Sequence, residues 1–378
     1  MNRDVEPFPW PAQSATGVGS MPGTSPHEAI RVVLGELPNL PYLPELPDRG
    51  PGADLVGRTL AILVDLPSET TARGWRLAER RGRDLRRASG LLEADLDVLE
   101  EAAEGYCGAF KIQLAGPWTL AAALELTRSI EPVLADQGAV ADLTASLAEG
   151  AANHVRAVRG RLPGADLVVQ FDEPSLPGVL AGSVPSASGL RRLAPVDATT
   201  AAQGLGTVLA AAQAPALVHC CAPEVPFACL ASAGASGISF DLSLLRRRDE
   251  DALGEVAEAG LGIAIGAVPA VDGARDGSAS RRDRAAARQD RGAARQDRRA
   301  ARQDRGEGAV RDAARGTAAE VISLWRRIGL PLGTLTEQVV VTPACGMAGI
   351  SPDRARAVLA QCQAAAGLIP ELIEEGVP

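Results

Sequence analysis

The chain has 378 residues, of which 46% are hydrophobic, and its mean hydropathy is +0.04; a sizeable core is available and wholesale disorder is excluded. Aromatic residues make up only 3% and the net charge is −9 with a pI near 5.1, which disfavours nucleic acid as a partner because both stacking platforms and a basic surface are scarce. The first residues carry no apolar h-region and no apolar run reaches the ~18–20 residues of a membrane span, so the expectation is a cytoplasmic protein with no membrane partner.

In chain order, short β-rich runs are predicted at Ala15–Gly19, Leu40–Pro44, Lys111–Ala115, Asp166–Phe171, Ala216–Cys220, Gly237–Asp241, Gly262–Gly266 and Gln338–Thr342. Helical patterns fall between them at Leu85–Gly105, Thr119–Asp136, Val140–Gly160, Thr200–Gln213, Asp251–Gly260 and Val310–Ile328, with Asp353–Leu368 after the last strand. Apolar strands that alternate with helices indicate a parallel sheet covered on its faces. Eight of them in one chain of this length predict a single α/β domain, a closed (β/α)8 TIM barrel spanning 1–378. An open doubly wound sheet is the alternative. Against it, the turn Gly17-Val18-Gly19-Ser20-Met21-Pro22 lacks the third glycine of a dinucleotide fingerprint and puts proline where the helix should be under way.

One tract stands apart. Ala-Arg-Gln-Asp-Arg recurs at 287–291, 294–298 and 301–305, and residues 281–305 hold ten Arg and four Asp, a net of +6 that leaves −15 for the remainder. The period of seven lacks any apolar seam to bury. It is read as a low-complexity insertion at about 276–307, disordered or helical, on the surface of the barrel. An arm for an acidic partner or for RNA is the sharper alternative, since clustered Arg attracts phosphate.

In a barrel, functional groups lie just past the C-terminal ends of the strands. There the sequence places Gly19 and Ser20, Glu45, Gly116-Pro117, Asp172-Glu173, His219-Cys220-Cys221, Asp241 and Cys345. The six cysteines are too few for a disulfide scaffold of this size. His219 and Cys221, two apart on an extended segment, face one side and Cys220 the other. With Cys345 and Asp241 they make a candidate N/S/O metal set, although spacing alone favours buried structural cysteines. Asp172 is a candidate for binding a substrate ammonium, or part of a helix N-cap with Glu173. Glu45 is held stiffly between Pro44 and Pro47.

Taken together, Thr16-Gly17-Val18-Gly19-Ser20-Met21-Pro22, Leu114-Ala115-Gly116-Pro117-Trp118-Thr119, Gln170-Phe171-Asp172-Glu173-Pro174, His219-x-Cys221 and Thr342-Pro343-Ala344-Cys345-Gly346 resemble, in content and order, the catalytic C-terminal barrel of cobalamin-independent methionine synthases. These belong with the uroporphyrinogen decarboxylase-like barrels. The resemblance runs from about Ala15 to Leu368 and has no counterpart of the long enzymes' N-terminal barrel, as in a short, core-type member. It implies Zn2+ on His219, Cys221, Cys345 and Asp241, where the family usually has glutamate. It implies homocysteine on Gly19, Ser20, Glu45 and Asp172, with Asp172 and Glu45 taking the ammonium and the turn at Ser20 the carboxylate. The activity implied is methyl transfer to the homocysteine thiol, forming methionine. A zinc-bound thiol is deprotonated and nucleophilic at neutral pH. The donor is 5-methyltetrahydrofolate or a methylcorrinoid, the latter bringing a corrinoid protein as partner. Two features of the folate enzymes have no match: a histidine after strand seven, where the chain reads 266–272 without one, and a tryptophan within 119–126. A zinc-binding relative without turnover, and a methyltransferase for another thiol, are the other readings; a porphyrinogen decarboxylase requires no such metal set.

Overall fold

The computed structural model describes residues 8–270 and 295–376, with the backbone alone described over 295–309. Among the described residues, nine strands form in chain order: β1 (Ser68–Thr71), β2 (Gly74–Leu77), β3 (Gly108–Ala115), β4 (Leu124–Glu125), β5 (Ala165–Asp172), β6 (Ala216–Cys220), β7 (Gly237–Asp241), β8 (Gly262–Val268) and β9 (Val339–Pro343). Six of them build one parallel sheet in the order β3-β5-β6-β7-β8-β9, each joined to the next through at least one helix. The other three, β1-β2-β4, make a small separate sheet.

The six strands correspond to the last six of the eight predicted runs. The other two, at the N-terminal side, do not form ladders, yet they link the two edges of the sheet. Thr16 N donates to Val341 O (3.1 Å) on β9, Glu45 N donates to Gly19 O (3.1 Å), and Leu43 N donates to Lys111 O (3.0 Å) on β3. Parallel bridges Ala15–Val341, Ser20–Glu45 and Tyr42–Lys111 accompany these bonds. Pro41 and Pro44 lack N–H groups, which limits this segment to isolated bridges.

Side chains on the concave face of the sheet alternate with period two and stack in layers. The lowest is apolar: Leu40, Ala109, Val168, Leu217, Ala264 and Val340 pack on Trp10, which closes the bottom. A Cβ on Gly262 would come within 2.3 Å of the Trp10 ring, so the floor requires glycine there. Two residues further along, the layer becomes polar, with Lys111, Gln170, His219 and Thr342 all buried. Two further still come Gln113, Asp172 and Cys221. The convex face carries the main core, where Phe110, Ile112, Val169, Phe171, Val218, Ile238, Ile263 and Val341 meet the helices.

The helices begin on caps placed by sequence. Ser25, Asp54, Asp136, Asp197 and Ser351 each accept a backbone N–H of the first turn of the helix they precede. Between helices Leu55–Ile62 and Arg83–Ala102 lies a buried ion group: Arg49 grips Asp95 with two bonds of 2.7 Å, and Arg58 donates to the same carboxylate.

The predicted helix Thr119–Asp136 is not one helix. It starts at Pro117 and ends at Ala123, gives way to β4, and only a short turn, Val133–Ala135, follows. Pro132 and the polar run Thr127-Arg128-Ser129 interrupt it. Of the insertion, residues 276–294 lie outside the described residues; from Arg295 the backbone is helical and continues to Arg327, because a run of Ala, Arg and Gln has high helix propensity even without an apolar face. Among the described residues, no helix is long and apolar enough to cross a membrane.

Candidate functional site

The upper polar layers of the sheet bring four strand ends into one electrostatic neighbourhood. Near the end of β6 stands His219, which is 2% exposed. Its Nδ1 lies 2.8 Å from Ser239 Oγ on β7. Its Nε2 is buried and has no partner. Burial, helped by the Lys111 cation, takes His219 down to about 3, so the imidazole is neutral and Nε2 is a free lone pair or N–H according to the tautomer.

Cys221 follows β6 and Cys345 follows β9, and their sulfurs lie 3.6 Å apart. The shared contact brings Cys345 down to about 6 and raises Cys221, so one thiolate is available at neutral pH. The neighbouring Cys220 faces the opposite way and is fully buried, its thiol pushed up to about 12 by burial. Asp241, at the end of β7, accepts from Ser243 N (2.9 Å) and Ser243 Oγ (2.7 Å) through Oδ1, capping the turn Leu242–Leu244. Its charge is felt by Cys345.

Asp172 lies within electrostatic reach of both thiols, and Glu45 within reach of Asp172. Glu45 is buried and accepts from Gln113 Nε2 at 3.2 Å. Asp172 is buried and accepts from Gln170 Nε2 at 2.6 Å through Oδ1. Gln113 and Gln170 are register partners on β3 and β5, so one rung of the sheet supports both carboxylates from below, each held by one oxygen. Burial raises both acids, and the Glu45 charge raises Asp172 further, while Lys111 acts on both in the opposite direction. Below them sits Lys111, fully buried, with Nζ donating to Val18 O (3.1 Å) and Gln170 Oε1 (2.8 Å).

The Gly19-Ser20 turn meets the Cys345 loop. Met347 N donates to Ser20 O (2.9 Å) and Ala348 N to Ser20 Oγ (3.4 Å). A Cβ on Gly346 would fall 2.3 Å from Ser20 Oγ, so this contact requires glycine at 346. Glu173, the second acid of its pair, turns away: it takes Trp118 N (2.9 Å), Thr119 N (2.8 Å) and Thr119 Oγ1 (2.8 Å) at the start of helix Pro117–Ala123. Trp118 itself is buried, its Nε1 donating to Ala201 O (2.9 Å).

Among the described residues, no group of three or more His, Cys, Asp or Glu side chains is drawn together tightly enough to form a metal shell. The Cys221/Cys345 pair nevertheless has the spacing of a zinc dithiolate, since two Zn–S bonds of about 2.3 Å at the tetrahedral angle separate the sulfurs by about 3.8 Å. The buried, unpartnered Nε2 of His219 supplies a nitrogen donor on β6, two residues before Cys221, with Ser239 fixing the ring as outer partners do in metal sites. These three residues fit zinc by donor chemistry. Asp241 fits less directly, one of its oxygens being held by Ser243. Reasoning from sequence missed Lys111, Gln113, Gln170 and Ser239; their signal was polar type at inward positions of otherwise apolar strands.

No family model matches the chain, and none of the curated proteins does. Among solved structures, it is similar to a B12-independent methionine synthase from Shewanella sp. W3-18-1 in complex with selenomethionine, with a TM-score of 0.58 over 96% of this chain and 99% of that one. The two are 11% identical, so the likeness is one of fold.

Proposed function

We propose that the chain is a zinc-dependent methyltransferase that transfers a methyl group to the thiol of homocysteine, forming methionine. The observation that carries this reading is the meeting, at one end of the parallel sheet, of a thiol pair 3.6 Å apart and an unpartnered buried imidazole nitrogen with two buried carboxylates. The bridged segments Ala15–Ser20 and Tyr42–Glu45 are read as the two remaining staves of a closed (β/α)8 barrel, which puts all these groups at its C-terminal mouth. The likeness in fold to a methionine synthase supports the same assignment.

His219, Cys221 and Cys345 would hold the zinc, with Asp241 as the fourth protein ligand or displaced by the substrate sulfur. Bound zinc supplies a deprotonated, nucleophilic thiolate from a substrate thiol that is otherwise protonated at neutral pH. The chain's own residues do the rest. Glu45 and Asp172 each keep one oxygen free of the glutamine beneath it and bind the α-ammonium. Gly19 and Ser20 present the turn for the α-carboxylate. Two charged anchors on one amino acid fix the direction of its side chain, and so the line along which the sulfur meets the methyl donor. The donor is 5-methyltetrahydrofolate or a methylcorrinoid carried by a partner protein.

Elemental analysis of the purified chain, followed by methionine formation from L-homocysteine with each donor in parallel, tests the reading. About one zinc per chain and turnover with either donor are expected. Full activity in zinc-free protein, or the absence of zinc after reconstitution, overturns it.

A further inference from the structure

The chemistry above gives no role to Lys111, although an ammonium group is among the most costly to bury. An apolar side chain would fill the same space on β3 without that cost, as Ala109 does one layer below. Lys111 is held by Val18 O and Gln170 Oε1 and lies 5.2 Å from the centre of the Tyr42 ring. Burial brings it down to about 8, with Asp172 and Glu45 acting the other way, so it is charged at neutral pH.

Its contacts dictate the orientation of Gln170. A lysine only donates, so the carboxamide oxygen must face Nζ and the NH2 must face away. That NH2 then donates to Asp172 Oδ1 (2.6 Å) and to Val18 O (2.8 Å). Val18 O thus receives two donors, one from each side chain. Val18 sits between Gly17 and Gly19, in the turn that runs into Ser20. Lys111 and Gln170 form one unit that touches the support of the ammonium site and the support of the carboxylate site.

We propose that Lys111 is a positioning residue for the amino-acid pocket: through Gln170 it aims Asp172 at the α-ammonium, and through Val18 it holds the Gly19-Ser20 turn at the α-carboxylate. Its positive charge also favours the ionised forms of Glu45 and Asp172, the forms that bind an ammonium. This assignment rests on the homocysteine reading of the pocket.

The test uses the zinc-loaded full chain and calorimetric binding of three thiols: L-homocysteine, 4-sulfanylbutanoate, which lacks the ammonium, and 3-aminopropane-1-thiol, which lacks the carboxylate. The wild-type protein should prefer L-homocysteine to both. Lys111→Met should lower affinity for L-homocysteine by about 10- to 100-fold, the scale of a lost hydrogen bond to a charged group, and change the two analogues far less, so that both preferences collapse together. Hydrogen exchange should quicken in the segment 17–20 and in 171–173 at unchanged zinc content. Gln170→Met leaves the Lys111 ammonium on Val18 O and should cause a smaller loss of the same kind, which keeps the test available if Lys111→Met does not fold. A uniform drop for all three thiols, or unchanged preferences in the variants, overturns the role of Lys111 alone. Absence of any preference in the wild-type protein overturns the homocysteine reading and this assignment with it.

Discussion

Glu173→Gln changes one atom and isolates how a buried carboxylate holds the start of helix Pro117–Ala123. In the wild-type protein one carboxylate oxygen takes Trp118 N and the other takes both Thr119 N and Thr119 Oγ1. The site is closed tightly enough that a Cβ on Gly116 would come within 2.3 Å of Oε1, so a glutamine cannot swing away. Its carbonyl can serve one side; its NH2 must face a backbone N–H on the other, leaving that donor unpaired at roughly 1–3 kcal/mol. Burial, set against these donors, raises Glu173 from its ordinary 4.5 to about 7. Because the folded value exceeds the unfolded one, the folded state binds more protons between those limits, and wild-type stability falls as pH rises from about 4.5 to about 7. At about 1.4 kcal/mol per pH unit that window is worth up to about 3 kcal/mol. The glutamine has no such slope. The substitution should therefore cost roughly 1–3 kcal/mol at pH 5 and become nearly neutral by pH 8. Urea unfolding of both proteins at the two pH values measures this difference and cancels all other titrating groups. A cost that grows with pH would show that the three donors outweigh burial, and would refute the reasoning.

Cys345→Ser should abolish zinc retention in competition with a chelator, while Asp241→Asn, which keeps the cap on Ser243, should weaken it much less; the reverse order would mean that the carboxylate, not the thiol pair, anchors the metal. Asp95→Asn should destabilise the chain by roughly 3–5 kcal/mol in urea titration, because Arg58 is left buried without its counter-charge. Gly17→Ala should cost roughly 1–3 kcal/mol by overpacking, since its Cβ would lie 2.3–2.5 Å from the Tyr42 ring; a thermal midpoint equal to wild type would contradict the tightness of that contact.

How far the fold could be read from sequence depends on what each element buries. A strand such as Val339–Pro343 is buried throughout, so it appears as a run of β-branched residues, and its limits are found to within a few residues. The hairpin of β1 and β2 escaped notice because Ser68-Glu69-Thr70-Thr71 and Gly74-Trp75-Arg76-Leu77 have one half-exposed face and only β4 beyond them. The segment Thr119–Asp136 misled because Ala and Leu dominate its first half, and a helix interrupted by a proline has the composition of a whole one. The parity of β6 placed His219 and Cys221 on one face and Cys220 on the other. Which atoms of those side chains lie free is a three-dimensional fact: nothing in the sequence shows that Asp241 is partly occupied by Ser243, or that His219 rests on Ser239.

Lys111 shows the limit most clearly. A lysine flanked by Phe110 and Ile112 reads as the exposed face of an amphipathic strand, since lysine is rarely buried. The strand is inward on that side, and Ala109, Lys111 and Gln113 step from the apolar floor to the mouth. The lowest layer shows that this chain can fill its interior with Ala, Val and Leu. In the layers above it buries Lys111, Glu45, Asp172 and His219 instead, and each is a choice that lowers stability unless its partners are in place. A sequence that follows the packing rules at one level and departs from them at the next is shaped there by something other than folding. The departures gather at one end of the sheet, with Lys111 acting on both Glu45 and Asp172, so what they share is an electrostatic arrangement that packing alone does not require.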